Sequence, residues 1–523
     1  MIKKINILNH SEKVYIFFLI IFSLLINQYY GNLGFQPTDS LSHYDSSYRI
    51  LNGELPFRDY WVVSGPFIDY VQSFLFRIFG VNWQTYVFHA SLINSFLTLC
   101  NFFLLRSFYL KKSTSFLYSI LLSILAYPIS GTPFVDQHAA YFSLIGTYFL
   151  ILAIKTEKSF FWYSFPFLFG FAFFSKIVPS SYTILSSTFI ILFYSIINKK
   201  YQLLKYSSYS SVFFILFIFL ILKLQDIEIY SLFVQYVFHP LSIGSSRVDN
   251  LNFSFTGFFS NFKFIFLSII ILFYASFKNI LDKKKYFKEK NFYYFLIFLT
   301  FTFGLIFHQI LTLNQTFIFF IIPVLLGFSH ATLGIKGSNK KNINILLILV
   351  CIFVTTKYHL RFNETRKFHE LNNVNLKLAV GGEKIHKSFY GLKWISTEFP
   401  NDPNTEIKLL NDIKKRLVKD EREKMLITTY SFFSVILKEK FFSPSRWYLA
   451  SGQVHPVPGS KYFQNYSRFF KEKIKKNKIE VIYTIKPLGS WVFDDILGKN
   501  CLESSSINEI LNIHLILQCD DLK

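Results

Sequence analysis

The residues best suited to chemistry stand in one short segment, Pro37–Pro66, which follows the first hydrophobic stretch of the chain. The segment contains four carboxylates and two arginines, separated by aromatic residues: Asp39, Asp45, Glu54, Asp59, Arg49 and Arg58. Carboxylates act as general bases, and cationic groups stabilise negative charge that develops in a reaction. Charged residues close to a bilayer are costly unless they are in water or serve chemistry, so function is expected here first.

The composition defines the class of protein around this segment. The mean hydropathy is +0.34, with 52% hydrophobic and 17% charged residues, which does not suit a soluble chain of 523 residues. Uncharged runs of roughly 17 to 22 residues recur, and a helix of that length crosses a hydrocarbon core of about 30 Å. These features predict a polytopic helical membrane protein.

The hydrophobic pattern predicts about eleven membrane-spanning helices. They are expected near residues 14–30, 84–105, 115–130, 138–154, 160–175, 180–197, 207–223, 256–276, 292–308, 315–334 and 343–357. The apolar segment Phe67–Gly80 is too short and interrupted to span, so it is expected to form a helix along the membrane surface. The first span lacks a small-residue cleavage site after it, which indicates a retained anchor.

The basic residues indicate the orientation of the spans. Alternate loops are rich in lysine and arginine, and the loops between them carry few, so the rich set is expected in the cytoplasm. This places the N-terminus inside, and an odd number of spans then puts the C-terminal region outside. The net charge of +23 is distributed loop by loop, which favours this topology signal over nucleic-acid binding.

The chain after residue 357 has a different character. It is polar, with an amphipathic pattern at Asn404–Lys419 and β-type runs at Met425–Thr429 and Glu480–Ile485. This alternation predicts a soluble α/β domain over 358–523, after a transmembrane domain over 1–357 whose external loop spans 31–83. Cys501 and Cys519 either form a disulfide in an oxidising compartment or remain two thiols; the disulfide is the favoured reading.

The first external loop resembles that of bacterial GT-C glycosyltransferases, the polyprenyl-phosphate-sugar-dependent enzymes related to protein O-mannosyltransferases and the lipid A aminoarabinose transferase. The resemblance lies in Asp39, Tyr44, the run YRILNG at 48–53, the run PFRDYW at 56–61, and Gly65-Pro66. In that family an acidic residue follows the first span, then an aromatic-rich helix, a turn and a Gly/Pro-bearing entry to a surface helix. Elsewhere the resemblance is architectural.

The resemblance implies a polytopic all-α transmembrane domain of GT-C type with a C-terminal extracytoplasmic α/β domain. It assigns Asp39 as the catalytic base; the alternative is an N-cap of the following helix, and the two roles are compatible. Asp45 is either a second site carboxylate or part of a solvated helix face, and the second reading is favoured. Arg58 either pairs with Asp59 to stabilise the turn or contacts substrate.

Further candidates stand at the predicted outer ends of spans. Asp136 and His138 lie in the second external loop, where an ordinary wet loop is the alternative. Lys176 is the most isolated charge of the apolar chain; it either pairs with the donor phosphate or snorkels to the interface. The remaining candidates for a phosphate or sugar cavity, each of which has a structural alternative, are His239, Arg247 and His308.

The resemblance implies a glycosyltransferase of the inner (plasma) membrane. By analogy with the family, it would move a hexose or pentose from a polyprenyl-phosphate donor within the lipid to an external glycan, lipid or protein acceptor, with inversion. A flippase of lipid-linked glycans would need charges deep within spans and broken helices, whereas the spans here are nearly free of charge. The sequence distinguishes a glycan polymerase or ligase only poorly from a transferase of single sugars. No metal or nucleotide motif is present, so no cofactor is expected, and a divalent cation is left open.

Overall fold

The structure is a computed structural model of the whole chain. It describes residues 10–249, 254–278, 286–312, 318–333, 339–366, 370–448, 452–486, 488–489 and 491–517. We refer to the described residues from 370 onward as the C-terminal domain. The end of the helices at which Asp136 lies is called the outer end.

Helices dominate the chain up to residue 366. Those before the C-terminal domain are α1 His10–Gly31, α2 Pro37–Leu51, α3 Pro66–Phe79, α4 Trp83–Ser107, α5 Lys112–Leu125, α6 Val135–Thr156, α7 Ser159–Ser175, α8 Ile177–Ile197, α9 Tyr201–Leu224, α10 Ile229–Leu232, α11 His239–Asp249, α12 Phe255–Phe277, α13 Lys290–Thr312, α14 Ile321–Thr332 and α15 Asn339–Arg361. A π-helical turn, Phe233–Phe238, joins α10 to α11.

Four further α-helices and seven strands are described. The helices of the C-terminal domain are α16 Pro403–Lys419, α17 Phe433–Leu437, α18 Phe463–Asn477 and α19 Trp491–Leu497. The strands are β1 Leu33–Phe35, β2 Val380–Gly381, β3 Lys393–Ser396, β4 Lys424–Thr428, β5 Val481–Ile485, β6 Leu502–Asn508 and β7 Leu511–Ile516. The architecture is therefore a helical membrane domain with a small α/β domain after it, as predicted.

Eight helices in the described part of the chain are long and apolar enough to cross a membrane: α1, α4, α6, α8, α9, α12, α13 and α15. Two shorter apolar helices, α7 and α14 with the turn before it, lie among them. Each of the eleven predicted spans overlaps a helix, but the span 115–130 extends beyond α5, which ends at Leu125. Residues 315–317 and 334 of the tenth span lie outside the described residues. The number of helices that cross the membrane stays a prediction. Side chains such as Phe189 and Phe213 are more than half exposed, as lipid-facing positions are.

The basic loops between the helices meet at one end of the membrane domain. Glu157, directly after α6, pairs with Lys200 at 2.8 Å and with Lys290 at 3.0 Å. Arg106 at the end of α4 likewise pairs with Glu12 at 2.9 Å. This end is opposite to the start of α6, so the basic loops and the site candidates are separated by the length of a span. The cytoplasmic assignment of the basic end stays a prediction.

Helices α2 and α3 lie in the predicted external loop 31–83, for which we keep the name first external loop. The side chain of Gln36 accepts from the backbone N–H of Asp39, and Pro37 occupies the first turn, which suits a helix start. Gly65 precedes α3 with a φ of 73°, and a Cβ there would come within 2.5 Å of the His43 ring. Glycine is thus needed both for the left-handed backbone and for the close approach of α2.

The first external loop and the C-terminal domain share a sheet. Strand β1 runs parallel to β3, which pairs antiparallel with β2. A second sheet has the order β4-β5-β7-β6, in which β4 and β5 are parallel and the other pairs antiparallel. Its parallel pair comprises the two predicted β-type runs.

The predicted amphipathic helix is α16. Asp402 caps its start, and the four apolar residues of its predicted face are buried: Ile407, Leu410, Ile413 and Leu417. These side chains belong to one apolar cluster that also contains Tyr44 of α2 and Trp83 of α4. A continuous core therefore holds the C-terminal domain against the outer end of the membrane domain. The predicted division at residue 357 stays a prediction.

Candidate active site

Three ionisable side chains from different helices meet at the outer end. The Lys176 ammonium donates to both carboxylate oxygens of Asp136, at 2.7 and 2.9 Å. The His308 Nε2 lies 2.6 Å from the same carboxylate. We call these three residues the Asp136 cluster. The sequence placed all three at outer span ends, and the structure brings them together.

The backbone around the Asp136 cluster explains its positions. Asp136 lies in the first turn of α6, where the helix dipole favours a carboxylate. Lys176 is the extended residue between α7 and α8, so its side chain leaves the helical direction. His308 lies one turn before the end of α13. The lysine is therefore an ion-pair partner rather than a snorkelling residue, and it remains 26% exposed while Asp136 is 8% exposed.

Asp39, on α2, lies beside the Asp136 cluster. It is the third residue of the helix, and the cap is Gln36, so the N-cap alternative for Asp39 is wrong. Its carboxylate is partly exposed and has no hydrogen-bond partner among the described residues. Burial raises the pKa of Asp39 to about 7; the negative charges of Glu370 and Asp136 add to the shift, and the charge of Lys176 opposes it. A carboxyl group with a pKa near neutrality is matched to proton transfer.

Arg247 and His138 occupy different surroundings near the Asp136 cluster. Arg247, in the last turn of α11, is close enough to His308 for their charges to interact. His138 is fully buried, with one ring nitrogen against the Tyr127 hydroxyl and the other 3.0 Å from His89 Nε2. A role in substrate binding stays a prediction for both residues. The surroundings of Arg247 suit such a role better than the buried position of His138 does.

Arg58 and Asp59 stabilise the turn after α2. The Arg58 guanidinium lies 2.7 Å from the Asp59 carboxylate and also donates to the carbonyl oxygens of Gly53 and Gln225. The same carboxylate accepts from the Leu55 N–H. The hydrogen bonds of Arg58 are therefore made within the protein, which favours the turn-stabilising alternative.

Asp45 does not lie on a solvated face. It is 7% exposed and accepts a hydrogen bond from the Ser434 hydroxyl of the C-terminal domain, so that favoured interpretation is wrong. The reason is that the C-terminal domain covers this side of α2. Burial raises the pKa of the Asp45 carboxyl, while the nearby Arg49 opposes the shift.

His239 is buried at the start of α11, away from the Asp136 cluster. Its ring packs against Trp61 and Tyr462, with centroid separations of 6.2 and 6.5 Å. Burial lowers the pKa of His239 to about 4. An apolar, aromatic environment of this kind is typical of a structural histidine, and its part in substrate binding stays a prediction.

A second buried cluster joins α2, α3 and the C-terminal domain, and the sequence did not predict it. The Asp69 carboxylate of α3 is 2.6 Å from His43 Nδ1, accepts from Ser46 at 2.6 Å, and lies 2.5 Å from the guanidinium of Arg446. Burial and the charge of Arg446 lower the pKa of His43, and Asp69 opposes them. The sequence signal that could have identified Asp69 was an acidic residue within the apolar run PFIDYVQ. No comparable signal marked Arg446.

The ion pair between Arg446 and Asp69 is expected to hold the C-terminal domain on the membrane domain. Both residues are at most 3% exposed, so Arg446→Met leaves a buried carboxylate without its cation, at a cost of about 3–5 kcal/mol. Thermal unfolding in detergent should show a large destabilisation of this variant. Arg468→Met removes an exposed arginine of α18 and should have almost no effect. Equal stability of both variants would contradict this role.

Metal binding and a disulfide are the two remaining expectations from the sequence. Among the residues that the structure describes, no three His, Cys, Asp or Glu side chains are grouped so as to hold a metal ion. The expected absence of a metal stays a prediction. Cys519 lies outside the described residues, so its disulfide with Cys501 also stays a prediction.

The fold and site together define a polytopic membrane protein in which Asp136, Lys176 and His308 meet at the outer ends of three helices. No protein-family model matches the chain, and no curated protein matches it in sequence. Among solved structures, it is similar to ArnT from Cupriavidus metallidurans, crystallised bound to undecaprenyl phosphate. The TM-score is 0.46 and the identity 9%, over 97% of this chain and 98% of that one.

Proposed function

We propose that this protein is an integral-membrane glycosyltransferase, which transfers a sugar from a polyprenyl-phosphate donor to an acceptor outside the cytoplasm. The observation that carries the proposal is the Asp39 carboxylate, partly exposed and without a hydrogen-bond partner among the described residues, beside the cations of the Asp136 cluster. A base and an anion-binding group at the outer ends of spans are what a lipid-phosphate donor needs, because the lipid holds its phosphate at headgroup depth.

The reaction is a single displacement. Asp39 takes the proton of the acceptor hydroxyl while the hydroxyl oxygen bonds to the anomeric carbon. The bond from that carbon to the phosphate oxygen breaks, and its electron pair leaves with the polyprenyl phosphate. Displacement from the opposite face inverts the anomeric centre. The proton on Asp39 then passes to water, which a pKa of about 7 allows.

The cations near Asp39 stabilise the leaving phosphate. Lys176 uses two contacts on Asp136 and keeps an exposed portion from which its ammonium can reach a phosphate oxygen. Arg247 brings a second positive charge to the same region. Asp136 holds Lys176 in place and is itself held by His308, so Asp136 acts as a positioning residue rather than as a base. Lysine bias in the loops supports an outward-facing site in the plasma membrane.

A transfer assay tests the proposal. Purified protein in liposomes is given radiolabelled hexose and pentose derivatives of polyprenyl phosphate, together with glycan, lipid and peptide acceptors. We expect label to move from the lipid to an acceptor. Label that crosses the bilayer while still on its lipid would contradict the proposal and indicate a flippase. Movement of a preassembled oligosaccharide alone would indicate a polymerase or ligase.

A further inference from the structure

A polar cleft of about 310 Å³ lies between the first external loop and the C-terminal domain. We call it the loop cleft. Its volume falls at the lower end of the range for ligand pockets. Its main cationic and aromatic lining residues are Arg58, Lys440, Phe442, Phe469, Lys473 and Lys476.

The positive charges of the loop cleft exceed the negative ones available to balance them. Two of its carboxylates, Glu54 and Asp59, are paired with Arg49 and Arg58. Three lysines remain, and the one other carboxylate lining the cleft is Glu472. Lys440 and Lys476 are exposed and have no ion pair among the described residues. The cleft is therefore electrostatically suited to an anion.

Lys473 places a buried amine in the wall of the loop cleft. It is 8% exposed, and its ammonium donates to the backbone carbonyl oxygen of Asp59 without forming an ion pair within the described residues. Burial lowers its pKa to about 7; Arg49 adds to this shift, while Glu54 and Asp59 oppose it. An ammonium has three donors, so Lys473 can bind an anion in the loop cleft while it keeps the carbonyl contact.

The walls and location of the loop cleft suit an extended polar ligand. Phe442 and Phe469 are half-buried and line the cleft with ring surface on which the apolar face of a sugar can pack. The cleft begins just beyond the C-terminal end of α2, whereas Asp39 lies in its first turn. Since α2 has 15 residues, the separation along the helix is roughly 22 Å. A ligand in the cleft is thus remote from the reacting carboxylate.

We propose that the loop cleft binds an anionic segment of the acceptor, a glycan that carries carboxylate or phosphate groups. That the ligand is the acceptor rests on the proposed function. That the ligand is an anionic glycan rests on the three lysines and two aromatic rings of the loop cleft. The bound segment would lie about one α2 length from the hydroxyl that receives the sugar. The cleft would then select long acidic acceptors over short neutral ones.

A binding measurement without donor tests the inference separately from transfer. The full chain in lipid nanodiscs is titrated with hexagalacturonate, with maltohexaose as the neutral probe of equal length, and with inorganic phosphate. We expect hexagalacturonate to bind most tightly. The variant Lys440→Gln/Lys476→Gln should weaken its binding about tenfold, because two charged contacts are lost. The control Lys387→Gln/Lys408→Gln removes equal charge from exposed positions elsewhere and should bind like the wild type.

Three outcomes would overturn the inference: equal binding of maltohexaose and hexagalacturonate, an unchanged affinity in Lys440→Gln/Lys476→Gln, or inorganic phosphate bound as tightly as the acidic glycan. Asp39→Asn should bind hexagalacturonate with wild-type affinity because the carboxylate lies at the other end of α2. If the wild type binds the acidic glycan but transfers no sugar, the proposed function fails and the anionic-glycan site remains.

Discussion

Replacing Asp39 by asparagine should reduce sugar transfer by about a hundredfold to ten-thousandfold, the range that a general base contributes. Asparagine has nearly the same shape, and the carboxylate makes no hydrogen bond to other described residues, so the fold has little to lose. The effect should lie in kcat, with little change in donor binding. The measurement is steady-state transfer in proteoliposomes with donor concentration varied.

A matched control for Asp39→Asn is Glu370→Gln, which removes the carboxylate whose charge most raises the pKa of Asp39. Its transfer at pH 8 should stay within about twofold of wild type, because Asp39 is already ionised there. The pKa of Asp39 should fall in this variant. Full activity of Asp39→Asn would contradict the role of Asp39 as the base.

The second large effect is expected for Lys176→Ala. Removing a cation that faces a developing phosphate charge should lower kcat/KM by about a hundredfold to a thousandfold. Two causes act together: the leaving phosphate loses its neutralising charge, and Asp136 loses a partner that holds it at 2.7 Å. Removing Lys176 also raises the pKa of Asp39 further, since Lys176 opposes that shift. Transfer kinetics at several donor concentrations measure the loss.

Lys223→Ala is the control for Lys176→Ala. Lys223 lies in the last turn of α9 and is exposed, so its loss should change transfer by less than about twofold. Wild-type kinetics in Lys176→Ala would contradict a role in phosphate binding. Asp136→Asn, which removes the charge that holds Lys176, should weaken transfer by a smaller factor while the lysine remains present.

Much of the fold follows from local pattern. Apolar runs of membrane length predict the long helices, and the spacing of Ile407, Leu410, Ile413 and Leu417 predicts α16. Strands β4 and β5 were visible as short apolar runs. Strand β1 was not, because it has three residues and owes its conformation to β3, about 360 positions later. Short strands that pair over such distances carry no periodic signal of their own.

The candidate site was predictable in its members but not in its contacts. Isolated charges at span ends identified Asp136, Lys176 and His308, because charge is rare in such sequence. Their mutual hydrogen bonds depend on the packing of three helices. Arg446 and Asp69 are 377 positions apart, and nothing local marks that pairing. The prediction of a solvated face for Asp45 was wrong for the same reason, because the domain that buries Asp45 follows hundreds of residues later.

The C-terminal domain is bonded to the first external loop at several points. Asp45, Arg49, Asp59 and Asp69 of the first external loop all contact the C-terminal domain. The loop that carries Asp39 is thereby fixed on the side away from the spans. Mutations at this interface should alter the position of α2 and thus act on transfer from a distance.

The pH dependence of kcat/KM tests the central claim most directly. Because Asp39 must be unprotonated to act as a base, wild-type kcat/KM should rise about tenfold per pH unit below pH 7 and level off above it. The residual activity of Asp39→Asn should lack this inflection. A wild-type profile that is flat across pH 7, or the same inflection in Asp39→Asn, would contradict the assignment of Asp39 as the catalytic base.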